Sequence, residues 1–237
     1  EVCRTVRHAT NAERLRRGLR VLEAHAALDR AASAHSLDMA QRGYFDHRDP
    51  AGRGVRKRVA LHRPELVVRG VGENIARFTV EADPVGLGVR LVQSWMESPG
   101  HRANILDADW THLGVGICRR GGYVWATQVF ACLAGELLGN VPNLIRRGAL
   151  LRLGFRLYPP WNRPGETEAI VRVPNPRVRI AHGNGYYGMG WHPAPCAWQG
   201  DVVWVTFRAA YGAGQYEIGL IKRATGEYVA LLRLRAI

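Results

Sequence analysis

Lysine is nearly missing from this chain of 237 residues: of 33 cationic side chains, all but Lys57 and Lys222 are arginine. No apolar run approaches the roughly eighteen residues of a bilayer-spanning helix, which excludes a helical span within this sequence. The four cysteines, Cys3, Cys118, Cys132 and Cys196, show no C-x-x-C spacing, which excludes a zinc ribbon or a thioredoxin-like redox pair. No serine sits in G-x-S-x-G or S-x-x-K, and no H-E-x-x-H occurs, so a serine hydrolase and a helix-borne zinc protease both lack their signature. A net charge of +13 favours acidic partners such as phosphate, uronate or anionic lipid surfaces. Nucleic acid is not indicated, because the chain has no basic arm, paired Cys/His finger or aromatic RNA-binding signature. Internal repeats and low-complexity tracts are absent as well.

What is present divides near residue 140. Before it stand 20 cations and 15 anions, and after it 13 cations and only 5 anions. In the first part, apolar spacing predicts a helix over residues 2–17 and a second over 28–42, where Leu28, Ala32, His35 and Met39 share a stripe closed by Gly43. A loop follows at 44–52, then a short basic helix over 53–61. Asp83 and Pro84 start a further helix that breaks at Ser98, Pro99 and Gly100. Residues 113–132 read as a hairpin turning near Gly121, which places Cys118 opposite Val124. Cys132 then lies on the order of 25 Å from Cys118, too far for a bridge. Any bridge would join Cys3 to Cys132 or Cys118, and the alternative is four small buried residues. After residue 140, short strands at 150–157, 169–173, 202–209, 217–222 and 228–234 predict a small all-β sandwich or barrel.

The chemistry-bearing candidates are His47, Glu73 and His101, each read as on or next to a loop, with Glu97 four residues before His101. Two imidazoles and a carboxylate are a ligand set for a divalent metal such as Zn²⁺, with a fourth position open for water. The other reading is loop polar groups bonding local backbone. His35 is read as a core histidine first and a supporting partner second. Arg53, Arg56, Lys57 and Arg58 could hold an anion, and a solvated helix face explains them equally well. In the second half Trp161, Trp191, Trp198, Tyr186 and Tyr187 are candidates for stacking on sugar rings. Core packing and loop bracing are the competing reading, with Trp204 placed in the core.

In order along the first half stand Ala34-His35-Ser36-Leu37-Asp38-Met39-Ala40, Tyr44-Phe45-Asp46-His47, Gly72-Glu73-Asn74-Ile75-Ala76 and the run from Trp95-Met96-Glu97-Ser98-Pro99-Gly100-His101 to Leu106. Gly114-Val115-Gly116 follows, and then a strand with Trp125 and Gln128. In this order and spacing the chain resembles the bacterial branch of the CAP superfamily (cysteine-rich secretory proteins, antigen 5, pathogenesis-related 1), also called SCP domains, over about residues 5–132. The resemblance implies an α+β protein: an α-β-α sandwich over residues 1–138, followed by the unmatched β-rich domain at 139–237. It also implies a secreted or wall-associated location and a cleft tetrad of two His and two Glu. His47, Glu73 and His101 match three of those places. The second Glu of the tetrad follows the helix Trp by three residues, a place held here by Ser98. Glu97 is one residue early and turned about 100° around the helix.

The function expected from these readings is a non-enzymatic binding module for a lipid, cell-wall or other extracellular ligand. Its rival is a zinc-dependent hydrolase using Glu73 as ligand or general base, and a third reading is glycan binding through the second half.

Overall fold

The computed structural model describes residues 1–80, 83–141, 144–181 and 187–237, and for Tyr187 the backbone alone. The stacking candidate Tyr186 and the side chain of Tyr187 therefore lie outside the described residues. The chain divides into two units, one of Glu1–Pro64 with Gly70–Leu133, the other of Glu65–Arg69 with Ala134–Ile237.

The first unit contains α1 (Val2–Leu15), β1 (Glu23–Ala24), α2 (Ala26–Arg42), α3 (Val55–His62), most of β2 (Leu66–Thr79), α4 (Pro84–Glu97), α5 (Pro99–Leu106), β3 (His112–Arg120) and most of β4 (Tyr123–Leu138). β3 and β4 form the expected hairpin, β1 lies parallel to β3, and β2 pairs with β4. The register is one residue away from the sequence reading: Cys118 faces Trp125, and Val124 faces Arg119. The reason is a tight Gly121-Gly122 turn, with φ of 56° and 78°, that lets Arg120 pair directly with Tyr123. Cys3 and Cys118 are both thiols, and Cys196 is an exposed thiol.

Alternation assigns the two faces of the hairpin. Leu113, Val115, Val124, Ala126 and Phe130 point to one side, where they bury Val6 of α1 and Leu87, Leu91 and Trp95 of α4. Gly114 and Gly116 point to the other, and there α2 lies on bare backbone. A Cβ on Gly116 would overlap the Ser33 amide nitrogen, and one on Gly114 would overlap the Leu28 carbonyl carbon. Helices thus cover both faces of the sheet, the α-β-α arrangement expected. α2 starts on His25, whose ring accepts from the Ala27 amide, and ends on Gly43 in the left-handed conformation. Asp83 caps α4 through the Val85 and Gly86 amides.

The second unit continues with β5 (Leu144–Ile145), β6 (Leu150–Leu157), β7 (Thr167–Arg172), β8 (Arg179–Ala181), β9 (Tyr187–Met189), β10 (Trp191–Pro193), β11 (Cys196–Gln199), β12 (Val202–Arg208), β13 (Gly214–Lys222) and β14 (Tyr228–Ala236). Residues 135–138 of β4 pair with β6, followed by β12 and β11, all antiparallel. The other sheet runs β10-β7-β13-β14-β5. Leu153, Phe155, Val203, Val205 and Phe207 from the first meet Val171, Ile218, Leu220 and Leu234 from the second in one core, making a β-sandwich.

One open aromatic alternative is decided and one assignment changes. Trp161 is 1% exposed, flanked by the Arg69 guanidinium at 5.3 Å and the Lys222 ammonium at 4.8 Å, so it is core and has no face for a sugar. Trp204, expected in the core, is half-buried on the outer face, because β12 alternates and Val203, Val205 and Phe207 take the inward positions. Trp198 is half-buried against the core and braces β11, whereas Trp191 is 40% exposed on β10.

Gly116→Ala should cost about 1–3 kcal/mol, because α2 must lift off the sheet to admit a methyl group. Urea unfolding of the two proteins measures this, and an unchanged midpoint would contradict the close approach.

Candidate cleft of His47, Glu73 and His101

Glu73 was expected on a glycine-punctuated loop and is instead inside β2, with its side chain 3% exposed. A buried carboxylate needs a full set of donors, and each of its oxygens has one. Oε1 accepts from His47 Nδ1 at 2.8 Å, and Oε2 accepts from the Arg58 guanidinium. Arg58 is one of only two buried residues of α3 and lies within the run that sequence reasoning read as a solvated face or an anion site. Its other terminal nitrogen donates to the His47 carbonyl at 2.8 Å and the Arg53 carbonyl at 2.7 Å. One guanidinium therefore fixes both the acid and the loop that carries His47. Asp49 tightens that loop by accepting from the Ala51 and Arg53 amides.

His35 combines both of its readings. On α2 it is 1% exposed and donates through Nε2 to the Asp46 carbonyl at 3.0 Å, with that nitrogen 3.9 Å from Glu73 Oε1. Burial holds its pKa below the ordinary value, which favours the neutral ring behind Glu73.

The backbone of His101 is held by a chain of side-chain amides, two of them buried. Asn74, next to Glu73 and fully buried, donates to the His101 carbonyl and to Gln128 Oε1, both at 3.1 Å. Asn104 donates to Asn74 Oδ1 at 2.9 Å and to the Glu73 carbonyl at 3.1 Å. Gln128 closes the series by donating to the Thr10 hydroxyl at 2.7 Å. Asn74 and Gln128 were quoted within the motifs without a role. The signal available was an amide at an inward strand position, which must find partners when buried.

The electrostatics separate the two cleft imidazoles. The hydrogen bond to Glu73 raises the pKa of His47 above its usual value against the opposing effect of burial. Burial and the neighbouring His47 charge lower that of His101. The more basic of the two imidazoles is therefore the half-exposed His47. The cleft beside them, about 300 Å³, is lined by His47, Arg48, Gly54, Val55, Val71, Gly72 and Glu73.

Glu97, the fourth tetrad candidate, ends α4 exposed, and among the described residues no hydrogen bond or ion pair joins it to this group. Ser98, at the family position, is the residue between α4 and α5. Among the described residues no three His, Cys, Asp or Glu side chains form a metal-holding group. Glu73 is poorly suited as a Zn²⁺ ligand, because its charge is already paired with the Arg58 guanidinium and a second cation there would be repelled.

Glu73→Gln should return the His47 pKa toward its ordinary value near about 6.5, since the largest cause of its rise is removed. An NMR titration of the imidazole reads this directly, and an unchanged pKa would show that Glu73 does not hold the ring.

Two Bacillus subtilis proteins are similar to the first half. The uncharacterized protein YkwD is 36% identical over 119 residues, covering 50% of this chain and 43% of its own. The uncharacterized membrane protein YlbC is 35% identical over 111 residues, covering 47% and 30%. The chain therefore spans less than half the length of either relative. A solved extracellular SCP-domain protein from Bacillus anthracis is 31% identical, with a TM-score of 0.48 over 55% of this chain and 40% of that one. The profile of the cysteine-rich secretory protein family, CAP, matches residues 7–132, more than half of the chain and the whole of the cleft just described, and the chain belongs to that family.

Proposed function

We propose that this is a secreted or wall-associated binding protein whose CAP cleft recognises a polar cell-wall ligand without performing chemistry on it. The observation that carries the reading is the double occupation of Glu73. A carboxylate bonded by both Arg58 and His47 is a positioning group, and it is poorly placed to act as the general base or metal ligand that a zinc hydrolase would need. What the cleft offers outward is the remaining edge of the His47 ring, with His101 close enough to feel the His47 charge. These suit carbonyl or carboxylate oxygens such as those of wall peptides. The lining has two apolar side chains, Val55 and Val71, which supports a polar ligand over a lipid tail.

The test is cosedimentation of the full chain with purified insoluble peptidoglycan in ~0.15 M salt. Wild type should be retained, and His47→Ala and His101→Ala should each weaken retention about tenfold, the value of one charge-assisted hydrogen bond. Because the His47 pKa is raised, its charged form predominates below that pKa. Retention should therefore be strongest there and fade as pH rises through it. Equal retention of wild type and both variants, or one-to-one calorimetric Zn²⁺ binding that His101→Ala abolishes, would overturn the reading.

A further inference from the structure

The second unit carries a surface that the cleft reading does not use. On the outer face of the β6–β12 pair the alternating positions are Leu150, Arg152, Gly154 and Arg156 of β6, facing Arg208, Thr206, Trp204 and Val202 of β12. Gly154 has no side chain, and the Trp204 ring lies down on it: a Cβ there would come within 2.8 Å of the ring. The indole N–H is tied to Gln199 Oε1 at 3.3 Å, and the Arg152 guanidinium stands 4.9 Å from the ring centroid. A guanidinium held on an aromatic ring loses little freedom when an anion takes its N–H edge.

Among the described residues, the carboxylates that pair with arginines of this face stand at one end. Glu136 and Asp201 lie 3.1 and 3.6 Å from Arg156. At the other end Arg208 donates to the Gly148 carbonyl, in the turn that carries exposed Arg146 and Arg147. Among the described residues, none of Arg146, Arg147, Arg152 and Arg208 has a carboxylate partner. Beside them Leu150 is 61% exposed, and Thr206 supplies a hydroxyl.

From this juxtaposition we propose that the β6–β12 face binds an acidic polysaccharide. Carboxylates of uronate-type sugars would meet Arg152 and Arg208, and a sugar C–H face would cover Leu150. Charge complementarity selects an anion, while the exposed leucine and the hydroxyl among the arginines select a sugar over a bare phosphate chain. Nucleic acid fits less well, because the one indole is occupied by Gly154 and Arg152, and base stacking needs an open aromatic platform.

Calorimetry of the full chain with oligogalacturonate in ~0.15 M salt tests the proposal. Polyphosphate, neutral dextran and single-stranded DNA serve as comparison probes. Oligogalacturonate should bind, and Arg152→Gln and Arg208→Gln should each weaken it about tenfold. Trp204→Thr should weaken it too, provided its melting temperature stays near wild type. Arg172→Gln, which removes the same charge from the opposite sheet, should leave it unchanged. Absence of binding, equal weakening by Arg172→Gln, or equal affinity for polyphosphate or DNA would overturn the proposal. Because the cleft residues are intact in every variant, none of these outcomes bears on the cleft.

Discussion

A buried carboxylate with two obligatory partners organises the first unit. Glu73 sits inside a strand, where an unpaired charge would cost several kcal/mol. Arg58 and His47 meet that demand, and each thereby acquires its own position. Arg58 then reaches back to the backbone of the loop, so that the helix, the loop and the strand close around a single anion. The difference between the two imidazoles follows from this, because the one bonded to Glu73 gains basicity while His101 loses basicity to burial.

The frame that allows such a group is made of two unrelated contacts. On one face of the hairpin the absence of side chains at Gly114 and Gly116 brings α2, and with it His35, onto the sheet. On the other, the series Thr10, Gln128, Asn74 and Asn104 satisfies one amide with the next and fastens α5 to β2. The first places His35 near Glu73, and the second ties the backbone of His101 to that of Glu73. Buried amides that satisfy each other specify geometry more than they add stability, since each exchanges water for an equivalent partner.

Much of this was legible in the sequence, for reasons that differ by element. The Gly43 stop, the Asp83-Pro84 start and the apolar β-type run over residues 202–209 are local signals, and the elements they predict are present. The family motif brought His47, Glu73 and His101 together without any spacing rule. What escaped depended on which face a residue turns inward. Arg58 was one cation among four within six residues, and only the packing of α3 selects it. Trp204 was placed in the core because the run Val202 to Phe207 reads as continuously apolar, although a strand must send alternate residues outward. Trp161 was left between a stacking and a packing reading, because aromatic composition carries no information on burial.

The central claim is that Glu73 and Arg58 form one energetic unit, and a double-mutant cycle with Arg58→Met and Glu73→Gln tests it most directly. Removing Arg58 alone should destabilise the fold by about 3–5 kcal/mol, because Glu73 is left buried without its cation. Adding Glu73→Gln should recover a large part of that loss, giving a coupling of about 1–3 kcal/mol by urea unfolding. Strictly additive single and double variants would contradict the account, for they would mean that Glu73 does not depend on Arg58.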